Sequence, residues 1–238
     1  MNFKMFLIIA ILVTAGSLPI IIRIASNEDF KSLPIVQNIE KLTTSLNPLK
    51  AKKVSVQEIL RTKRCVGCNL TEINLSGADL TGADLRNSDL SRANLAKTIL
   101  KDAKMSGTRL NEAKLMNADL DGSDFHDSQL KNADLSDANL FNIRLDNSDL
   151  TNAILHRVEL RDADLIGANL NKADLTRASL YGTRLTKANL TGTNLSNTNM
   201  RYANLLNAII NKETNLNGAD LQLAVMPDGT TAYGTKQY

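Results

Sequence analysis

From Leu70 to Ile210 every fifth residue is apolar, without a break. Of these 29 positions 25 are Leu, and the others are Met105, Phe125, Met200 and Ile210. No ordinary element accounts for this period. A helix brings apolar residues to one side at a spacing of about 3.6, and a strand at about two. A strict period of five fits neither, whereas a short fixed repeat sustained over such a length is the mark of a solenoid.

A second position keeps the same phase. Two residues before each apolar residue stands a small one, Ala in 16 cases and Ser or Thr in nine, with Cys68, Ile73, Ile143 and Val158 the larger exceptions. Residues two apart on an extended chain point to the same side. The small residue and the Leu therefore face inward together, and the residue between them, commonly Asp or Asn as at Asp79, Asp84 and Asn139, faces water. The next two residues are polar or Gly, which is turn chemistry. Each unit reads as a short extended side followed by a corner. One coil cannot bury its own Leu, so neighbouring coils must cover it. Proline, which cannot donate to a backbone ladder, fits this reading: Pro19, Pro34, Pro48 and Pro227 all lie outside Leu70–Met226.

Runs such as ADLTGADLRNSDLSRANL (78–95) resemble the pentapeptide repeat family, whose motif is A(D/N)LXX. The resemblance covers about residues 68–226 and implies an all-β solenoid, a right-handed quadrilateral parallel β-helix with four pentapeptides per coil. Coils stacked about 4.8 Å apart then make a rod about 35–40 Å long. After Ile210 the phase slips by one residue, to Leu216, Leu221 and Met226, and NKETN (211–215) reads as a bulged corner.

The remaining chain divides into four parts. Residues 1–25 hold Lys4 and the apolar run MFLIIAILVTAGSLPIII (5–22), near the lower length limit for a membrane-spanning helix. This is a signal peptide or a membrane anchor. Cleavage before Gly16 is conceivable, but the apolar run continues past it, which favours an anchor. Lys4 and Arg23 set only a weak charge bias, so the orientation stays open. Residues 26–53 read as a linker with a short amphipathic stretch at 35–46 and the basic Lys50, Lys52 and Lys53, either solvated or set against anionic lipid. Residues 54–67 read as an N-terminal capping segment, with a short helix carrying Val56, Ile59 and Leu60. The segment 227–238 is a polar tail, and nothing in it resembles a helical cap. The C-terminal end of the solenoid is therefore a candidate for self-association, unless the tail covers it.

Charge follows the same division. Residues 1–68 carry ten basic and four acidic side chains, whereas residues 69–226 carry 17 and 20, so the net +3 arises outside the solenoid. With 4% aromatic residues and no Trp, the composition suits a thin Leu core.

Few residues invite chemistry. Cys65 and Cys68 form a Cys-x-x-Cys, but a zinc site needs about four ligands, and His126 and His156 stand far along the chain. The preferred reading is a packed Cys68 paired with Cys65 as a disulfide in an oxidising compartment, with a redox-sensitive cap as the alternative. His126 and His156 follow inward residues, so they should face solvent, on different sides of the rod. The acids Asp119, Asp121, Asp124, Asp127, Asp134 and Asp137 read as a solvated face, because a smooth rod offers no cleft in which to perturb them. No catalytic, cofactor-binding or metal-binding residue is assigned. A register of 20 residues per coil stacks Asp121, Phe141, Arg161, Tyr181 and Arg201, with Tyr202 alongside and Ile166 and Leu206 on the next face. Exposed aromatics and Arg are enriched at binding hot spots, so Phe141, Arg161, Tyr181, Arg201 and Tyr202 form the candidate interaction patch.

Three functions follow. The first is a non-enzymatic scaffold that binds a protein partner, with its repeat domain anchored at or exported across a membrane into a periplasm or thylakoid lumen. Many family members in photosynthetic bacteria have such an export segment and a short Cys-containing lead-in. The second rests on family members that modulate DNA gyrase in the cytoplasm by mimicking DNA, which requires a strongly acidic rod; here Arg86, Arg92, Arg109, Arg144, Arg157 and Arg161 are interspersed. The third, an enzyme or nucleic-acid binder, lacks a nucleophile–base pair, a phosphate loop, a metal cluster and a continuous basic stripe.

Overall fold

The computed structural model describes residues 55–233. The apolar run 5–22 and the linker 26–53 lie outside the described residues, as do residues 234–238. Among the described residues no helix is long and apolar enough to cross a membrane.

The first element is helix α1, Val56–Thr62. Ser55 caps its start, its hydroxyl accepting the Glu58 N–H at 3.1 Å. Lys63, in the left-handed region at φ 52, ends it by donating its N–H to the Ile59 carbonyl. Glu58 in the first turn and Arg61 in the last suit the helix dipole. Ile59 is fully buried in the same core as the solenoid.

From Arg64 the chain winds as a four-sided parallel solenoid. Each outward residue bridges to the one 20 positions on: Arg64 to Asp84, Asn69 to Asp89, Asn74 to Asn94, Asp79 to Ile99. One coil thus holds four pentapeptides. The ladder reaches back to Arg64, ahead of the first Leu, because Arg64 and Cys65 already occupy the outward and inward positions of a unit. Each side is so short that it forms a single bridge rather than an extended strand.

Two kinds of hydrogen bond build every coil. Between coils, Leu80 donates to the Ile99 carbonyl at 2.7 Å and Asp84 to the Lys63 carbonyl at 2.8 Å. At the corners, the N–H three residues after the Leu returns to the Leu carbonyl, as from Ala83 to Leu80 at 3.0 Å. This corner requires a positive φ at its second residue after the Leu. Asn87 and Lys97 adopt φ 58 there, so the conformation is imposed on residues of many kinds. At Gly107 glycine is needed for space as well, since a Cβ would lie 2.5 Å from the Asn87 Oδ1 in the coil before it. The outward Asp or Asn also fixes the corner that follows it. Asp79 Oδ1 accepts the Thr81 N–H at 2.9 Å, and Asp149 Oδ1 accepts that of Thr151 at 3.1 Å.

The core is one thin file of Leu side chains lined by Ala. Where Ser or Thr replaces Ala, its hydroxyl finds a backbone carbonyl: Thr98 donates to Leu75 at 3.0 Å and Thr183 to Leu160 at 2.8 Å. Ser128 is the exception. Its hydroxyl is buried without a partner among the described residues, three residues after Phe125, the aromatic member of the Leu file.

The phase slip proves to be a wider corner with a consequence for Ile210. The register changes from 20 at Asn189–Ile209 to 21 at Asn194–Asn215. Asn211 organises the corner, its Oδ1 accepting the N–H groups of Gly192 and Glu213, each at 3.1 Å. Thr214 takes the small inward position, and its hydroxyl donates to the Leu190 carbonyl at 2.8 Å. The added residue hands the inward site to Leu216, so Ile210, expected to face inward, is 38% exposed. The chain then turns back, and Thr231 pairs antiparallel with Val225.

Candidate interaction surface

The stacking of Asn139, Glu159, Ser179 and Asn199 in one bridged column carries Phe141, Arg161, Tyr181 and Arg201 with it along one corner of the rod. Phe141 and Tyr181 are 37% and 36% exposed, and Tyr202 is 46% exposed. Tyr202 stands at the positive-φ corner position, φ 58, which swings it toward the coil before it. Its ring centroid lies 5.2 Å from that of Tyr181, with the planes tilted by 58°, a favourable arrangement for aromatic pairs. Arg161 folds onto its own side, its guanidinium on Glu159 at 3.2 Å. Arg201 reaches Asp220 at 3.6 Å. The structure thus joins Tyr181 to Tyr202 directly and sets Phe141 two coils away, with Arg161 between.

The register also shows a feature that motif reading missed. Arg64, Asp84, Lys104, Asp124, Arg144, Asp164 and Arg184 form one column of alternating sign. Within it Arg144 meets Asp124 at 3.5 Å and Arg184 meets Asp164. The signal was available in the sequence at 20-residue spacing. Exposed pairs of this kind contribute little each, about 0–1 kcal/mol, but they leave no long single-sign field on that side. Ile99 and Ile154, in outward positions and exposed, were likewise legible once the register was known.

The remaining candidates fall where the solenoid puts them. Cys65 and Cys68 are joined in a disulfide, with Cα atoms 5.5 Å apart. Every corner brings two inward positions three residues apart, and the cysteines occupy one such pair. At the 28 corners from Leu70 to Leu205 the third N–H returns to the first carbonyl. At this corner the Cys68 N–H instead donates to the Ser88 hydroxyl at 3.1 Å, and that hydroxyl donates to the Cys65 carbonyl at 2.5 Å. A covalent bond and a buried serine hold the corner that a backbone bond holds elsewhere.

His126 and His156 are part-exposed and separate. His126 contacts Asp124 and His156 contacts Asp174, each at 2.7 Å. Among the described residues no cluster of three or more His, Cys, Asp or Glu could hold a metal ion. The acidic stretch is engaged with its neighbours: Asp119 with Lys101 at 3.1 Å, and Asp137 with Arg157 at 2.6 Å. The Arg157 hydrogen bonds hold the Asp137 carboxyl below its usual range. The Thr81 backbone and hydroxyl, then Lys63, lower Asp79 to about 2, and the Arg86 guanidinium lowers Asp84 to about 2.

A family model described as pentapeptide repeats matches residues 68–107, 98–137, 138–177 and 178–212. The chain belongs to the pentapeptide repeat family. Among solved structures, this pentapeptide repeat chain is 30% identical to HetL, a protein involved in heterocyst differentiation regulation from the cyanobacterium Nostoc sp. strain PCC 7120. That match covers 75% of this chain and 100% of HetL, with a TM-score of 0.47. It is 38% identical to the pentapeptide repeat protein alr5209 from Nostoc PCC 7120, over 37% of this chain and 72% of that one, with a TM-score of 0.36. QnrB1, a plasmid-mediated fluoroquinolone resistance protein, matches at 20% identity over 63% of this chain and 90% of that one, with a TM-score of 0.33. No curated protein matches the chain.

Proposed function

We propose that the protein is a non-enzymatic scaffold that binds a protein partner along its solenoid, with the repeat domain held at or exported across a membrane by residues 5–22. The observation that carries this reading is the exposed, mutually packed pair Tyr181–Tyr202 beside Arg161 and Arg201 on a repetitive backbone. Aromatics and Arg supply most hot-spot energy, and a ladder-bonded backbone presents them with little ordering cost. The Cys65–Cys68 disulfide supports an extracytoplasmic site, periplasm or thylakoid lumen, because such bonds persist in oxidising compartments. In-cell crosslinking of the wild type and of a Phe141→Ser, Tyr181→Ser variant tests the patch: loss of a crosslinked partner in the variant is expected, and an unchanged partner set refutes it. A reporter active only outside the cytoplasm, fused to the C-terminus, tests the location.

The second reading, a cytoplasmic DNA mimic acting on gyrase, is disfavoured by the alternating charge column from Arg64 to Arg184. A supercoiling assay in which the purified chain leaves gyrase unaffected removes it.

A further inference from the structure

The corner that carries Phe141, Arg161, Tyr181 and Arg201 has a fixed spacing. Asn142 donates to the Arg161 carbonyl at 3.0 Å, Asp162 to that of Tyr181 at 3.0 Å, and Gly182 to that of Arg201 at 2.9 Å. Each corner is thus tied to the next by a backbone bond, at one coil spacing of about 4.8 Å. Phe141 and Tyr181 are two coils apart, about 9.6 Å along the rod. Between them Arg161 lies back against Glu159, one guanidinium nitrogen on that carboxylate at 3.2 Å. Its other guanidinium N–H groups have no acceptor among the described residues. The strip is neutral: within 139–142, 159–162, 179–182 and 199–202 the charged residues are Glu159, Arg161, Asp162 and Arg201. The N–H groups of Asn142, Asp162 and Gly182 are already bonded between coils, so an added strand finds no ladder here. A convex corner likewise offers no groove for a helix.

We propose that this strip is the docking site for a proline-rich segment of a partner protein, laid along the rod as an extended polyproline II helix. The inference rests on the partner-binding reading above and names the chemistry of the partner. A polyproline II helix has three residues per turn and rises about 3.1 Å per residue, so every third residue returns to one side after about 9.3 Å. That matches the distance from Phe141 to Tyr181 to within a few tenths of an ångström. The two prolines of a Pro-x-x-Pro run then sit on Phe141 and on the Tyr181–Tyr202 pair, as prolines do on aromatic-lined surfaces. Such a helix makes no internal hydrogen bonds, so its carbonyls are open acceptors. Arg161, midway between the two aromatic sites, has donors for them. An uncharged segment also suits a strip without net charge. Both sides are ordered beforehand, the rod by its ladder and the prolines by their rings, which keeps the entropic cost of association low.

The test uses the full chain in detergent micelles and a fluorescein-labelled decaproline peptide, which is a polyproline II helix throughout. Anisotropy should rise to saturation with the wild-type protein. A Phe141→Ser, Tyr181→Ser variant should bind at least about tenfold more weakly while keeping the wild-type circular dichroism, because both rings lie outside the core. Arg161→Ala should bind several-fold more weakly. Among unlabelled competitors, a peptide with proline at every third residue should displace the probe, and one with proline at every fourth residue should not. Absence of binding up to millimolar peptide overturns the proposal. So does binding that survives the double serine substitution, or equal competition by the two peptides. Displacement by chitohexaose but by neither competitor peptide also overturns it, since the strip would then be a glycan site. If the serine variant loses a crosslinked partner while the wild type binds no decaproline, the partner-binding reading stands and this proposal falls. If the serine variant loses its fold, Arg161→Ala decides alone, its side chain being half exposed.

Discussion

Reducing the Cys65–Cys68 disulfide should loosen the first coil and little else. The bond closes a loop of four residues, for which the chain-entropy relation gives about 2 kcal/mol. The loss is not made good locally, because the Cys68 N–H is committed to Ser88 and the usual corner bond is absent. Coils contact only their neighbours, so opening at one end need not propagate. Native-state hydrogen exchange reads this directly. The amides of Cys65, Gly67 and Leu70, which donate to Asp84, Arg86 and Asp89, should exchange roughly 30-fold faster with a dithiol reductant present, which is what about 2 kcal/mol implies. Amides of the middle coils, such as Leu130 and Leu150, should be unaffected. A Cys65→Ala, Cys68→Ala variant should match the reduced protein. Unchanged protection in the first coil would refute the idea that this covalent bond replaces the corner hydrogen bond. Uniform loosening of every coil would refute the nearest-neighbour picture of the rod.

Three further outcomes follow from the same geometry. Ser128→Ala should raise the thermal transition, by about 1 kcal/mol in stability, because it removes a buried hydroxyl without a partner among the described residues; Thr98→Val, which deletes a hydroxyl bonded to Leu75, should lower it by a similar amount. Leu150→Ala should cost about 2–5 kcal/mol in a denaturant titration, whereas Ile210→Ala, in the same sequence phase but exposed, should cost little. Acid should fray the N-terminal end: Asp79 and Asp84, lowered to about 2 from 3.8, bind protons less readily folded than unfolded, so their contribution is present above about pH 4 and lost as pH falls toward 2. Exchange at the Asp84 amide followed across that range checks it.

The repeat was legible in the sequence because each unit satisfies itself locally. A small residue, a polar residue and a Leu make one side, and a corner follows whatever residue sits at the positive φ, Gly82 or Lys97 alike. The cysteine pair was legible for the same reason, since its spacing is that of a corner. The patch was legible only through the register: 20-residue stacking aligned Phe141, Arg161, Tyr181 and Arg201, but the contact between Tyr181 and Tyr202 depends on the backbone angle at Tyr202.

By itself, then, the sequence determined a Leu-cored solenoid of five-residue units, its inward and outward positions, and a break in phase after Ile210. Only the tertiary structure decided how that break is absorbed. Whether an isoleucine at the end of the phase points in or out depends on the coil beneath it and on where Asn211 and Thr214 find partners, Gly192 and Leu190, about 20 residues back along the chain. The same holds for the C-terminal end, where the returning chain sets Ala232 between Leu223 and Ala224. A periodic pattern says what each coil needs from its neighbour, and at Val225 that neighbour is the chain turned back on itself at Thr231, outside the five-residue period.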